Sequence, residues 1–254
     1  MQAKETVRRH GALQKGAELA PVELGQAIAS GAVQRALLKH HGVEHLVAVV
    51  GPSYGGFLAF QWAVSFPDWV NGIVPVTTDI KANAGSAASL SALIAELETD
   101  PHWHGGDYYD DGGLAGTMTR IRINTMVRYG IHELLVPDFP DLAAREADIE
   151  RMARKWAAES DADAMISLGR TSSRFDVQDA LTRIKARVLF VLCRTDKVFP
   201  PSLAPGAMAK FQEAGVRAEY FEIDSDLGHT ASGLAGDQWA PKLAEFIAQL
   251  GGRS

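Results

Sequence analysis

Apolar residues fall into short blocks along this 254-residue chain, and their spacing changes from block to block. Over residues 21–41 they recur at helical intervals, which predicts a helix stopped at Gly42. Residues 46–50 are apolar without interruption, the pattern of a strand covered on both faces. Residues 56–65 predict a helix ended by Phe66-Pro67-Asp68. Residues 72–78 (GIVPVTT) predict a second strand, weakened by Pro75, which has no ladder donor. Far downstream, RVLFVLC (187–193) predicts a buried strand and SLAPGAMAKFQEAG a helix running to Gly215. AEYFEI is then a strand, and DQWAPKLAEFIAQL an amphipathic closing helix. Strands alternating with helices predict an α/β fold with a doubly wound, mostly parallel sheet.

The rhythm breaks twice. Residues 1–20 lack periodicity and read as a loose arm. Between residues 79 and 181, small residues give way to an aromatic, His- and Gly-rich stretch (DPHWHGGDYYDDGG) and then to helical patterns, the clearest from Asp141. The expected organisation is therefore an arm (1–20), an α/β core (21–78 and 182–254) and a helical insertion (79–181).

Composition narrows the function. Hydrophobic residues make up 46% and charged residues 22%, ordinary for a globular protein. The net charge of -6, with no Lys/Arg block, argues against nucleic acid or an anionic membrane surface as partner. The single cysteine, Cys193, lies in an apolar run, so no intrachain disulfide forms and a reducing, cytoplasmic setting is expected. Neither a signal-peptide core nor an apolar run of roughly 18 residues is visible.

The chemistry gathers at the ends of the predicted strands. The run VAVVGPSYGG (47–56) places Ser53 in a G-x-S-x-G motif between a strand and a helix, the context of a nucleophile elbow. Flanking glycines let neighbouring backbone pass a strained turn without a Cβ clash. A serine hydroxyl needs a base, and the base needs a carboxylate to hold its tautomer. RVLFVLC delivers Asp196 just past its end, and AEYFEI leads to His229. Ligand chemistry collects at carboxyl ends of strands in open α/β sheets, so Ser53, Asp196 and His229 form the candidate triad. Asp224 and Asp226, in the histidine's own loop, are alternative acids. The Tyr54 backbone N–H, next after the nucleophile, is one oxyanion donor; no second donor is identifiable. His102 and His104 make an H-x-H with no third ligand at metal-site spacing, so no metal and no bound cofactor are expected.

Several blocks, taken in order over residues 22–250, resemble the homoserine O-acetyltransferase family of the α/β-hydrolase superfamily. They are GVEHLVAVVGPSYGG (42–56) with Gln61-Trp62-Ala63 and Phe66-Pro67-Asp68; Asp100-Pro101-His102-Trp103 with Gly106 and Tyr108; Asp163-Ala164; Arg174-Phe175-Asp176; and DKVFPP (196–201). The resemblance implies an α/β-hydrolase fold with a helical lid that commonly forms a homodimer contact. It also implies an acyl-enzyme on Ser53, with acetyl-CoA as co-substrate and a small hydroxy compound as acceptor. Arg120, with Arg122 behind it, is the nearest candidate for a substrate carboxylate. Two positions depart from the family pattern. Tyr54 stands where a methionine is usual, and Thr230 stands where an aspartate suited to the substrate's ammonium group is usual. The family's first strands are also missing ahead of the elbow, which would leave the elbow strand at a bare sheet edge. Carboxylic-ester hydrolysis, and a catalytically impaired fragment acting only as a binding or dimerisation unit, are the alternative readings.

Overall fold

The computed structural model describes the backbone of residues 22–110 and 113–251, with side chains from residue 31 onward. The arm expected over residues 1–20 lies outside the described residues. The chain runs through α1 (Val22–His40), β1 (Leu46–Pro52), α2 (Tyr54–Ser65) and β2 (Val70–Val76). Five helices follow: α3 (Ser86–Glu98), α4 (Ala115–Arg128), α5 (Ile131–Leu134), α6 (Leu142–Glu159) and α7 (Ala162–Ser173). The sheet then resumes with β3 (Arg187–Cys193), α8 (Ala204–Glu213), β4 (Ala218–Ile223), α9 (Ala231–Leu234) and α10 (Gly236–Gly251). Two compact units result, one holding Leu24–Ala84 and the chain from Thr171 onward, the other Gly85–Arg170.

In the first unit the four strands are parallel and ordered β1-β2-β3-β4. Alternation along β3 shows why the sheet has helices on both faces. Val188, Phe190 and Leu192 join one apolar cluster with Phe60 and Phe211. Leu189, Val191 and Cys193 join another with Trp239, Phe246 and Leu250. All six are fully buried, so from Val188 to Cys193 no position is left for a polar side chain; Arg187, at the start of the strand, is half-buried. Burying one Phe of this kind contributes ~1.5–3 kcal/mol.

Two details depart from expectation. The apolar run of β1 predicts cover on both faces, yet Val47 and Val50 are 49% and 45% exposed. Among the described residues β1 pairs only with β2, so its outer edge and the side chains beside it lack a neighbour. Val33 and Leu37, one helical turn apart on α1, are exposed as well. The second strand ends at Val76 rather than residue 78, because Thr77 turns to φ 46°. Pro75 stays inside the strand at the loss of a rung. Pairing to β1 is continuous from Gly72 to Val76, whereas pairing to β3 skips Val74 and Pro75. The missing amide proton faces β3.

Residues at both ends of the 79–181 stretch belong with the sheet. Lys81 and Asp176 form an antiparallel bridge, and the Ala82 and Val177 amides donate to the Phe175 and Ile80 carbonyls at 2.7 and 3.0 Å. Inside the helical unit, Asp141 caps α6 by accepting from the Ala144 amide at 2.8 Å. Asp161 accepts from the Ala164 amide at 2.7 Å at the start of α7. Its other oxygen accepts from the Tyr108 and Tyr109 hydroxyls at 2.8 and 2.9 Å, and the Tyr108 ring stacks on Trp103 and Tyr109. Burial pushes the Tyr108 phenol up to about 12; burial, then Tyr108 and Asp161, raise Tyr109 as well.

Two outcomes follow from these contacts. A Cβ at Gly51 would overlap the Gly55 carbonyl oxygen, whereas one at Gly55 would meet only the Pro52 ring, at 3.3 Å. Gly51→Ala is expected to lower unfolding stability by ~1–3 kcal/mol through overpacking, and Gly55→Ala by less, in urea unfolding of the two variants. The Tyr108 phenol ionises at about 12 in the fold but near about 10 in the unfolded chain. Its stabilising contribution is therefore complete below about pH 10 and lost as pH rises towards 12. Urea midpoints taken across that window should fall, and Tyr108→Phe should flatten the fall while lowering the midpoint at neutral pH.

Candidate active site

Ser53 stands between the last residue of β1 and the first of α2 with φ 51° and ψ -117°, outside the regions a non-glycine residue ordinarily adopts. Three contacts hold it there. Its amide donates to the Val76 carbonyl at 2.8 Å, and its carbonyl accepts from the Gly56 and Phe57 amides at 2.8 and 3.4 Å. The close approach of Gly51 to the Gly55 carbonyl, and of Gly56 to the Thr78 side chain, requires that neither glycine carry a Cβ. Gly51 thus has the role the sequence suggested. Gly56, outside the five-residue motif, shares it, and Gly55 is the most replaceable of the three.

The Ser53 side chain makes no cap hydrogen bond to α2, so its hydroxyl is not consumed by the helix it introduces. Tyr54 opens that helix, where backbone N–H groups have no intrahelical acceptor. Its amide is a donor beside the serine, as an oxyanion contact requires. The Tyr54 ring lies edge-on to Phe57, and burial raises its phenol above the usual range. Among the described residues no strand precedes β1, so a second donor from an earlier strand loop is not among them.

Asp196 and His229 meet directly. The imidazole Nδ1 lies 2.9 Å from Asp196 Oδ2, with the two side chains 9% and 0% exposed. The other carboxylate oxygen accepts from the Val198 and Phe199 amides at 2.7 and 3.1 Å. Both oxygens of Asp196 are therefore engaged, and the carboxylate cannot swing away without stranding the buried Phe199 amide and the partly buried Val198 amide. The Phe199 ring lies near-parallel to the imidazole at 5.9 Å. Asp224 and Asp226 do not compete for the histidine. They are 88% and 86% exposed and both pair with Arg194, at 2.7 and 2.8 Å. Because all four strands are parallel, Ser53, Asp196 and His229 leave the sheet at one edge.

Arg120 belongs to the helical unit. Its guanidinium donates to Thr117 Oγ1 at 2.9 Å and lies 3.9 Å from Glu96. Thr117 in turn donates to Asp100, which also pairs with His102 at 3.1 Å. Arg122 is spent on the face of Trp156, which leaves Arg120, 58% exposed, as the more accessible of the two. The Thr230 hydroxyl donates to the Leu227 carbonyl at 2.6 Å. The position after His229 is thus a closed turn with no charge to offer. Among the described residues no three His, Cys, Asp or Glu side chains gather as a metal site, and no helix is long and apolar enough to cross a membrane.

Sequence reasoning did not find Arg194, Thr195 or the Phe199 ring. The first two fill the step from β3 to Asp196 and look like ordinary polar loop residues. Only the fold shows what they face.

Comparison with known proteins agrees with this fold. A profile of the alpha/beta hydrolase fold family matches residues 26–234. Homoserine O-acetyltransferase of Haemophilus influenzae is 29% identical over 234 residues, covering 85% of this chain and 65% of that protein. The chain thus spans about two thirds of the length of such curated relatives. Among solved structures, homoserine O-acetyltransferase from Bacillus anthracis superposes with a TM-score of 0.75 at 24% identity, over 87% of this chain and 65% of that one. The esterase E22 also gives 0.75, at 21% identity, over 85% and 65%. The parallel sheet, the strand–serine–helix turn and the matched span together place the chain in the alpha/beta hydrolase fold family.

Proposed function

We propose that the chain carries out serine-dependent acyl transfer through an acyl-enzyme on Ser53, in the manner of a homoserine O-acetyltransferase. The observation that carries this reading is the buried Asp196–His229 hydrogen bond, formed at the sheet edge where the elbow presents Ser53. Asp196 fixes the imidazole with Nδ1 towards the carboxylate, which leaves Nε2 to accept a proton. Ser53 Oγ gives that proton to His229 as it bonds to the acyl carbonyl carbon. The Tyr54 amide stabilises the resulting oxyanion. Collapse breaks the bond to the leaving group, which departs with the proton from His229. In the second half an acceptor hydroxyl gives its proton to His229 and attacks the acyl carbon. The Ser53 ester bond then breaks, and the proton returns to Oγ.

The donor in this reading is acetyl-CoA, a co-substrate rather than a bound cofactor. The acceptor is a small hydroxy compound, and Arg120 is the group assigned to its carboxylate. The helical unit acts as the lid and as the contact between two copies.

Water as acceptor turns the same chemistry into ester hydrolysis, and one observation favours that second reading. The position after His229 holds Thr230, whose hydroxyl is turned onto a backbone carbonyl. An amino acid's ammonium group finds no carboxylate there, and burying it unpaired is costly. A third reading, a non-catalytic binding or dimerisation unit, takes its support from the half-exposed edge of β1.

These readings separate by experiment. A fluorophosphonate probe should label the wild-type chain and not Ser53→Ala, and the substitution should lower turnover by ~10³-fold or more. No labelling of the folded wild type would leave the binding-unit reading standing. Acetyl-CoA consumption should rise when homoserine is added, against p-nitrophenyl acetate cleavage as reference. Fast ester cleavage with no transfer to homoserine would replace the transferase reading by the esterase one.

A further inference from the structure

The segment that carries His229 is bound to the residues just before Asp196 by more than the Asp–His pair. Thr195 Oγ1 donates to the Ser225 carbonyl at 2.8 Å and accepts from the Gly228 amide at 3.1 Å. One hydroxyl thus spends its proton and a lone pair on the two ends of the turn that leads into His229. Gly228 adopts φ 55°, and a Cβ placed there would lie 3.6 Å from the Thr195 carbonyl oxygen. The neighbouring Cys193 thiol also donates to the Ser225 carbonyl, at 3.3 Å. On the solvent side, Arg194 reaches Asp224 through Nε at 2.7 Å and Asp226 through Nη2 at 2.8 Å. Three consecutive residues, 193 to 195, therefore hold residues 224 to 228 in a fixed register.

The arrangement closes a ring. Asp196 and His229 are joined by a side-chain hydrogen bond, and the residues preceding each, Thr195 and Gly228, are joined by another. Displacing Gly228 from Thr195 moves the backbone that aims the imidazole. The carboxylate cannot follow, because the Val198 and Phe199 amides hold it.

On the reading of Ser53, Asp196 and His229 as a triad, we infer that Thr195 is a positioning residue that sets the His229 loop on Asp196, with Arg194 as an electrostatic brace on the same loop. The two contributions differ in kind. The Thr195 hydroxyl sits against buried Ser225, where losing a partner leaves polar groups unsatisfied. The Arg194 pairs are exposed and are weakened by salt.

The test uses the full chain with Thr195→Val, Thr195→Ser and Arg194→Gln, read by p-nitrophenyl acetate kinetics and by the far-downfield proton resonance of the imidazole N–H bound to Asp196. For Thr195→Val, kcat should fall ~10- to 100-fold, as for a catalytic group misplaced by about an ångström, with KM within about two-fold. The downfield resonance should be lost, and Thr195→Ser should restore both. In the wild type kcat should decline with added salt, and Arg194→Gln should cost less than Thr195→Val and remove that decline. A folded Thr195→Val with wild-type kcat and an intact resonance overturns the inference. If that variant does not fold, Arg194→Gln decides. An unchanged kcat and an unchanged salt response would then refute the brace and the clasp it completes. A wild-type chain that shows the resonance but no esterase activity and no Ser53 labelling refutes the acyl-enzyme reading alone. The resonance in the variants still tests the clasp.

Discussion

The hydrogen bond between Asp196 Oδ2 and His229 Nδ1, 2.9 Å long and closed off from solvent, joins two loops that leave neighbouring strands. It exists because β3 and β4 run parallel in unbroken register from Val188–Ala218 to Cys193–Ile223, which brings both loops out at one edge. That register depends in turn on β3, fully buried from Val188 to Cys193 and gripped between Phe211 on one face and Phe246 on the other. A charge placed anywhere along residues 188–193 would have to be buried unpaired. The sheet core and the acid–base pair are thus one construction, with hydrophobic packing setting the strand and the strand delivering the chemistry.

The serine side obeys a different constraint. Ser53 occupies a backbone conformation that costs on the order of 1–3 kcal/mol, and the surroundings must hold it. The Val76 carbonyl supplies one restraint and the first turn of α2 supplies the rest. Glycine at positions 51 and 56 lets those partners come close enough. Thr77, with φ 46° and its amide donating to the Val191 carbonyl at 2.7 Å, forms a second bent point directly beside the elbow. Strain concentrated at two adjacent strand ends, over a core with none of it, is the distribution expected of a working site.

Much of this was legible in the residues. Unbroken apolar runs located β1 and β3, and the parallel α/β architecture followed from their alternation with helices. G-x-S-x-G in a strand–helix context pointed to Ser53, and the places of Asp196 and His229 past their strands made them candidates, while Asp224 and Asp226 stayed open as acids until their pairing with Arg194 was seen. Other features were hidden for physical reasons. An apolar run reads the same whether its strand is enclosed or stands at an edge, so the run alone did not show the exposure of Val47 and Val50; the bare edge came only from the family resemblance. Pro75 weakened a strand prediction that proved correct, because a lost rung on one side is tolerated when the other side pairs in full. Thr195 and Arg194 gave no signal, since their partners are about 30 residues away and a polar loop residue has no periodicity to betray it.

The proposed chemistry acylates Ser53 with help from the Asp196–His229 pair. Intact-mass spectrometry after rapid mixing with acetyl-CoA, followed by peptide mapping, tests it most directly. An acetyl adduct is expected on the peptide containing Ser53, absent from Ser53→Ala, slowed in His229→Ala and discharged by an added acceptor hydroxyl or by water. An unmodified chain, or an adduct that persists in Ser53→Ala, would contradict it.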